Sequence, residues 1–362
     1  MAVKHLLEKQ SQKHHPVDQE LRDIIERKKA RIKVVGAGGA GNNTITRMMQ
    51  VGIVGAETVA VNTDAQDLLY TDADHKILIG KQLTQGLGAG ANPKVGMEAA
   101  RENKEEIKKA LQGSNLVFLT CGLGGGSGTG SLPVIGDVAK KMGALTIAVV
   151  TLPFSMEGRQ RYRNAEEGMK NLEEVVDTMI VVPNDKLLEI VPNASLIEAF
   201  KIADDILVNA VKGITELITK PGLVNRDFAD VRAIMSAGGL AMIGMGESDT
   251  KNRALESVEK ALNNPLINVD VNDAKGALVN VSSGAGMTVR EAQQIVDHVS
   301  SRLSPDAKII WGAKIEKELG NSVKTMLVIT GVKSPQIFGP GKTWSQQTKK
   351  DVQKVLGVEF VD

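Results

Sequence analysis

From Arg31 onward the chain alternates two kinds of segment. Short apolar runs occur at RIKVV (31–35), ETVAVN (57–62), KILIG (76–80), NLVFLT (115–120), ALTIAVVTLP (144–153) and TMIVVP (178–183). Their length and β-branched content predict buried strands. Between several of them lie charged amphipathic stretches such as NPKVGMEAARENKEEIKKALQ (92–112), which read as helices. Strands separated by helices at this spacing predict a largely parallel, helix-covered sheet. FKIADDILVNAVKGITELITK (200–220) places apolar residues at 202, 206, 207, 211, 214, 217 and 218, the pattern of a long helix with one buried face. Pro221 and Gly222 end it. A second alternating region comes next, with apolar runs at 238–246, 276–284, 307–315 and 324–332 and helical patterns at 251–263 and 288–303.

The expected organisation is therefore a helical arm (1–30), a first α/β domain (31–199), a central helix (200–222), a smaller α/β domain (223–334) and a tail (335–362). In the arm, Leu21, Ile24 and Ile25 form one narrow stripe, which suits either a solvated helix or one that clasps a partner. In the tail, Trp344 and the ending VLGVEFV either pack or dock.

Composition narrows the picture. The chain has 362 residues, 42% hydrophobic and 24% charged, which is enough to bury a large core. A net charge of +1 removes the electrostatic case for nucleic acid, and 3% aromatics removes a base-stacking platform. No apolar run reaches the ~18 residues of a membrane span. The single cysteine, Cys121, allows no internal disulfide and fits a reducing cytoplasm, with burial in the core its expected place. The five histidines, His5, His14, His15, His75 and His298, have no metal-ligand spacing.

In parallel sheets, ligands sit at the carboxyl ends of the strands. Three of the first six loops there are glycine-rich: GAGGAGNN (36–43), KQLTQGLGAGANP (81–93) and CGLGGGSGTGSLP (121–133). A loop can turn successive N–H groups onto a phosphate only where side chains do not intervene, and an adjoining helix adds its unpaired N–H groups and dipole. The third loop meets this need, with hydroxyls at Ser127 and Thr129 and with Pro133 read as lying near the helix start. A flexible linker is the competing reading, but linkers rarely join a buried strand to a helix. GAGGAG also fits the dinucleotide fingerprint, which keeps a nicotinamide-dependent oxidoreductase open. Against that, the acid after the second strand, Asp64, stands 28 residues past Gly36, where about 20 is expected. The Walker pattern is absent.

Taken together, GGGSGTG (124–130), VVGAGGAGNN, AVNTDAQ, GLGAGANP, VTLPFSMEGR, PNDKLL, ELITKPGLVNRDFADVR and GLAMIGMGES resemble, in order and spacing, the FtsZ branch of the tubulin/FtsZ superfamily. The likeness runs from about Arg31 to Val332; the arm and the GVEF-type ending look like the archaeal branch. The tail does not resemble the short C-terminal peptide of bacterial members, so their adaptors are not carried over. The resemblance implies the tubulin/FtsZ fold, a Rossmann-like parallel-sheet GTPase domain joined by a long central helix to a smaller α/β domain. It implies a GTPase that binds GTP or GDP with Mg2+ and assembles head to tail into filaments for cell division. Such a protein is expected in the cytoplasm at mid-cell, with tethering or division partners reached through the arm or tail. A filament for cell shape with weak turnover is the alternative.

By position, Gly39, Ala40, Gly41, Asn42 and Asn43 match the first nucleotide loop, and Gly126, Ser127, Gly128, Thr129 and Gly130 the phosphate signature. Ala89, Gly90 and Ala91 match the loop near the γ-phosphate, Glu157 and Arg161 the ribose and phosphate contacts, and Phe200 and Asp204 the base-stacking and guanine-reading positions. Ser127 stands where the family usually carries threonine. NRDFAD supplies Asn225, Asp227 and Asp230. Two acids three apart share a helix face and could orient a water, while the residues taken alone favour Asn225 or Asp227 as a helix cap. A helix over 200–220 spans about 30 Å, so acids beyond its end are far from a nucleotide read at its start. The resemblance implies that these acids act on the neighbouring subunit's nucleotide. Arg226 stands where the family usually has an apolar residue, and it bears on the hydrolysis rate.

Overall fold

The structure, a computed structural model, describes residues 30–190, 195–219, 228–236, 238–267, 271 and 274–332. The expectations for the arm, the tail, Pro221, Gly222, Asn225, Arg226 and Asp227 lie outside the described residues.

Every apolar run of the first region is a strand: β1 (Ile32–Ala37), β2 (Ala56–Asn62), β3 (His75–Leu78), β4 (Leu116–Gly122), β5 (Leu145–Leu152) and β6 (Thr178–Pro183). Between them run α1 (Gly38–Val51), α2 (Ala65–Tyr70), α3 (Lys81–Thr84), α4 (Pro93–Glu102), α5 (Lys104–Ala110), α6 (Ser127–Lys141) and α7 (Arg159–Glu173). After β6 come α8 (Asn184–Ile190), the long α9 (Leu196–Thr219) and α10 (Phe228–Ser236). The second region contributes β7 (Gly239–Ser248), α11 (Arg253–Leu262), β8 (Gly276–Ser283), α12 (Val289–Ser300), β9 (Lys308–Ile315) and β10 (Val323–Thr330).

The described strands form one sheet of order β3-β2-β1-β4-β5-β6-β7-β10-β8-β9. The first seven are parallel; β10 is antiparallel to both β7 and β8. β7 joins β6 by the short register Thr178↔Gly239, Met179↔Leu240 and Ile180↔Ala241. The second region thus extends the first sheet. β5 is buried at all eight positions, as a strand covered on both faces must be. On one face Val117, Leu119, Leu132 and Ile135 pack together; on the other, Phe118 and Ile147 meet Leu207, Val211 and Ile214 of α9.

α9 begins one turn before the apolar periodicity that announced it and extends about 36 Å over 24 residues. It lies close against the second region: a Cβ at Gly213 would sit 2.4 Å from Met326 Cε, and one at Gly312 2.3 Å from Leu217 Cδ2. α10, beyond its far end, is pinned to the amino-terminal rim of the sheet. Arg232 Nη2 donates to Gly143 O, just ahead of β5, at 2.8 Å, and the Thr178 hydroxyl, at the start of β6, donates to Met235 O.

Pro133 is placed differently from expectation. α6 already starts at Ser127, so Pro133 lies in its second turn, inside the helix. The run SGTG is helical because packing, and not loop flexibility, uses its glycines. A Cβ at Gly130 would meet Pro93 O at 1.9 Å and one at Gly128 would meet Ala37 O at 2.6 Å. α4 answers with Gly96, whose Cβ would lie 2.3 Å from Gly126 O.

Candidate nucleotide site

The loops after β1 and β4 converge at the carboxyl rim. Gly38, at φ +70°, brings the first turn of α1 against that of α6, where a Cβ would lie 2.7 Å from Gly128 N. Neither helix is capped by a side chain, and neither first turn carries an acid. Two sets of unpaired N–H groups and two positive helix ends therefore face one place, an arrangement suited to an anion. The connecting loop is only Leu123–Gly126. Gly124 takes φ +108° and donates its N–H to Thr129 Oγ1 at 2.9 Å, which sets the turn from behind. The hydroxyls of Ser127 and Thr63 lie 2.6 Å apart and tie the loop after β2 to the same turn.

A cleft of about 480 Å³ opens here. Of the residues singled out from the sequence, Gly39, Ala40, Asn43, Gly126, Ser127, Gly128, Glu157, Arg161, Phe200 and Asp204 line it. Gly41, Asn42, Thr129 and Gly130 stand behind this wall. Gly41 packs against Gly36 and Thr120 O, where no side chain fits, and Asn42 and Thr129 are almost fully buried. Ala89 braces Gly126, whose Cβ would lie 2.8 Å from its own. Gly90 and Ala91 are on the exposed rim at φ +56°, and Ala91 O accepts from Asn164 Nδ2 at 3.0 Å. These three sit beside the cleft rather than in its wall.

At the other end of the cleft, Phe200 is 42% exposed and stands edge-on to Phe154, ring centroids 5.3 Å apart. Glu157 accepts from Phe154 N at 2.8 Å and pairs with Arg161. Asp204, one turn along α9 from Phe200, has Oδ1 2.8 Å from Thr44 Oγ1. Burial pushes its carboxyl up to about 6; the Thr44 hydrogen bond opposes this, Asp205 adds to it, and Arg47 opposes it.

Sequence reasoning passed over Asn184. It is 5% exposed, lines the cleft, and its Oδ1 has no hydrogen-bond partner among the described residues, so it presents a waiting acceptor. Its signal was its position directly after the last apolar run of the first region, where β6 gives way to α8. Asp230, in the first turn of α10, is not in the cleft but at the opposite rim with Arg232 and Met235.

Strand order 3-2-1-4-5-6 is also that of dinucleotide-binding domains, so topology does not discriminate. The acids after β2 do. Asp64 caps α2 by accepting from Gln66 N and Asp67 N. Asp67 Oδ2 accepts from Asn62 Nδ2 at 2.6 Å and Asn42 Nδ2 at 3.0 Å. Both are spent inside the protein rather than presented to a ribose.

The profile of the Tubulin/FtsZ family GTPase domain matches residues 31–192, and that of the FtsZ family C-terminal domain matches residues 239–333. The chain is 60% identical over 319 residues to the "Cell division protein FtsZ 1" of Thermococcus kodakarensis, covering 88% of this chain and 85% of that one. It is 56% identical over 353 residues to the "Cell division protein FtsZ" of Methanothermobacter thermautotrophicus, covering 96% and 93%. Among solved structures, an empty FtsZ dimer of M. jannaschii superposes with a TM-score of 0.84 at 60% identity, covering 88% of this chain and 92% of that one. CetZ2 of Haloferax volcanii, at 19% identity and a TM-score of 0.75, shares the fold. The chain belongs to the tubulin/FtsZ family, in its FtsZ branch, and carries that family's GTPase domain.

Proposed function

We propose that this chain is a cell-division GTPase that stacks head to tail, each copy gripping GTP at one rim and supplying acids to its neighbour's GTP from the other. The observation that carries the reading is the placement of Asp230 at the amino-terminal edge of the sheet whose carboxyl edge holds the glycine loops. Eight residues of β5 separate the two rims by about 26 Å. A carboxylate there cannot reach its own chain's phosphates, so water activation must come from a second copy. Such a contact is heterologous and does not close, which builds a filament. The nucleotide rim is dressed for burial: Leu87, Met156 and Ile197, in segments that follow carboxyl ends of parallel strands or open α9, are 76–83% exposed.

In this reading the helix ends of α1 and α6 hold the phosphates, Phe200 stacks on the base, and the Asp204 carboxylate accepts from the guanine edge. Glu157 and Arg161 face the ribose and the phosphates. Asn225, Asp227 and Asp230 of the adjoining copy position the attacking water, and phosphoryl transfer rests on such positioning and on charge stabilisation. Among the described residues no group of three His, Cys, Asp or Glu side chains could cage a metal. The cleft's Ser127 hydroxyl and Asn43 amide fit a Mg2+ that arrives on the phosphate oxygens and keeps most of its waters. That ion would neutralise charge developing on the phosphates. No helix among the described residues is long and apolar enough to cross a membrane; we place the protein in the cytoplasm at the division site, with any tether held by the arm or tail.

Two variants test this together. Asp230→Ala should bind GTP normally and release phosphate about 100-fold more slowly. Asp204→Ala should bind GTP poorly yet keep its opposite rim. Mixed, they should recover turnover beyond the sum of the two alone, because one supplies the nucleotide and the other the acid. Unchanged turnover in Asp230→Ala, or no gain on mixing, refutes the reading.

A further inference from the structure

Thr44 is fully buried on α1, beneath the cleft, and its hydroxyl touches two acceptors. Oγ1 lies 2.8 Å from Asp204 Oδ1 and 3.0 Å from Ala40 O. A threonine hydroxyl has one proton, so it cannot donate to both. If Asp204 is ionised, Thr44 must donate to it, and Ala40 O keeps only its helical N–H. If Asp204 is protonated, its own O–H can donate to Thr44 Oγ1 while Thr44 donates to Ala40 O. The same heavy-atom positions serve both proton arrangements, and no buried polar atom is orphaned in either.

We propose that Thr44 is a positioning residue for guanine recognition, a one-proton relay that holds the Asp204 carboxylate toward the base and reports its protonation to the backbone of the first phosphate loop. The proposal rests on the reading of Asp204 as the guanine acceptor. Guanine offers two donors, N1–H and the 2-amino group, and a carboxylate meets both only if its plane is fixed. Thr44 fixes it by occupying Oδ1 from beneath. Ala40, at the other end of the relay, lines the cleft itself.

The charges facing Asp204 leave the relay in command of its proton. Asp205, next in α9, is tied to Arg47 of α1 at 2.8 Å, so its repulsion is opposed by the attraction of Arg47, and both act less on Asp204 than burial and Thr44 do. Across the cleft, Glu157 and Arg161 are paired with each other. What remains is burial, which raises the carboxyl to about 6, against the Thr44 hydrogen bond, which lowers it. Bound guanine favours the ionised form, so binding should expel a proton below about pH 6 and guanine preference should fade on acidification.

The test is the ratio of GTP to ITP affinity between pH 5 and 8. Inosine lacks the 2-amino donor but carries the same triphosphate, so the ratio cancels phosphate titration. In the unaltered protein the ratio should be flat above pH 7 and fall below pH 6. Thr44→Val keeps the shape and removes the hydroxyl: the ratio at pH 7.5 should drop about tenfold, the loss of one hydrogen bond to a charged group, and the midpoint of the fall should move upward. Thr44→Ser should restore both. A ratio and midpoint unmoved in Thr44→Val, with Asp204→Asn abolishing the preference, overturns the relay alone. A preference that survives Asp204→Asn overturns the assignment of Asp204 beneath it. A measurement needing no variant guards against misfolding: in the unaltered protein, the 13C shifts of the Asp204 carboxyl and the Ala40 carbonyl should titrate with one midpoint. An Ala40 carbonyl that stays flat while Asp204 titrates refutes the relay.

Discussion

Two carboxylates, Asp204 and Glu291, are pushed in opposite directions by what their side chains touch. Asp204 faces the cleft with one hydroxyl partner, and burial raises it. Glu291, at the third position of α12, takes Arg253 Nε at 2.6 Å and Thr288 N at 2.7 Å, and it is held down at about 2, chiefly by Arg253. Arg253 is 7% exposed, and its remaining donors reach Asn321 O, Asn321 Oδ1 and Gly286 O, so one side chain staples α11, α12 and the turn before β10. Arg253→Ala should cost about 3 kcal/mol in urea unfolding, because Glu291 is left partly buried without its cation. The acid dependence has a definite sign. A depressed carboxyl stabilises fully above its ordinary value of 4.5, and that contribution is lost as pH falls toward 2. The stability gap between the unaltered protein and Glu291→Gln should therefore be wide at pH 6 and narrow at pH 3; an equal gap at both would contradict the pairing. None of this was visible in the sequence, where Arg253 and Glu291 stand 38 apart in two charged helices. Asp204, by contrast, was singled out only through the family resemblance; its spacing alone suited a solvated helix acid as well as a guanine acceptor.

At the scale of elements, the strands were legible because a strand covered on both faces is a short apolar run rich in β-branched residues. The start of α6 was not. Glycine density reads as a loop when a chain is considered alone, since glycine disfavours helix. What reverses the preference is a neighbour on each side: α4, through its own Gly96, comes so near that only glycine fits at position 130, and the end of β1 does the same at position 128. The glycines of CGLGGGSGTG thus divide into two jobs, which two substitutions separate. Gly130→Ala would place a methyl 1.9 Å from Pro93 O and should destabilise the fold by about 2 kcal/mol. Gly125 lines the cleft, has nothing within 4 Å of its added Cβ and takes no positive φ. Gly125→Ala should leave thermal stability within about 0.5 kcal/mol and, if the proposed site is right, weaken GTP binding, since the methyl would enter the cleft. Equal effects of the two on melting temperature would contradict this division.

For the whole molecule, the informative quantity is the distance between its two rims. The periodicity of the long helix, joined to the resemblance that puts base reading at its start, already implied a large separation, since a helix over 200–220 sets the next segment of chain about 30 Å away. The single sheet was less legible: three residue pairs between β6 and β7 join the two regions, and no local pattern marks which strands become neighbours. The exposed apolar residues at the nucleotide end were also missed, because Leu87, Met156 and Ile197 are scattered in sequence and come to one end of the molecule only through the fold. Phosphate release per molecule, monitored as the protein is diluted with GTP and Mg2+ held in excess, tests the separation of grip and acid most directly. The account predicts turnover that vanishes below a threshold concentration and rises steeply above it, together with sedimentable polymer. Constant turnover per molecule down to strictly monomeric dilution would contradict it.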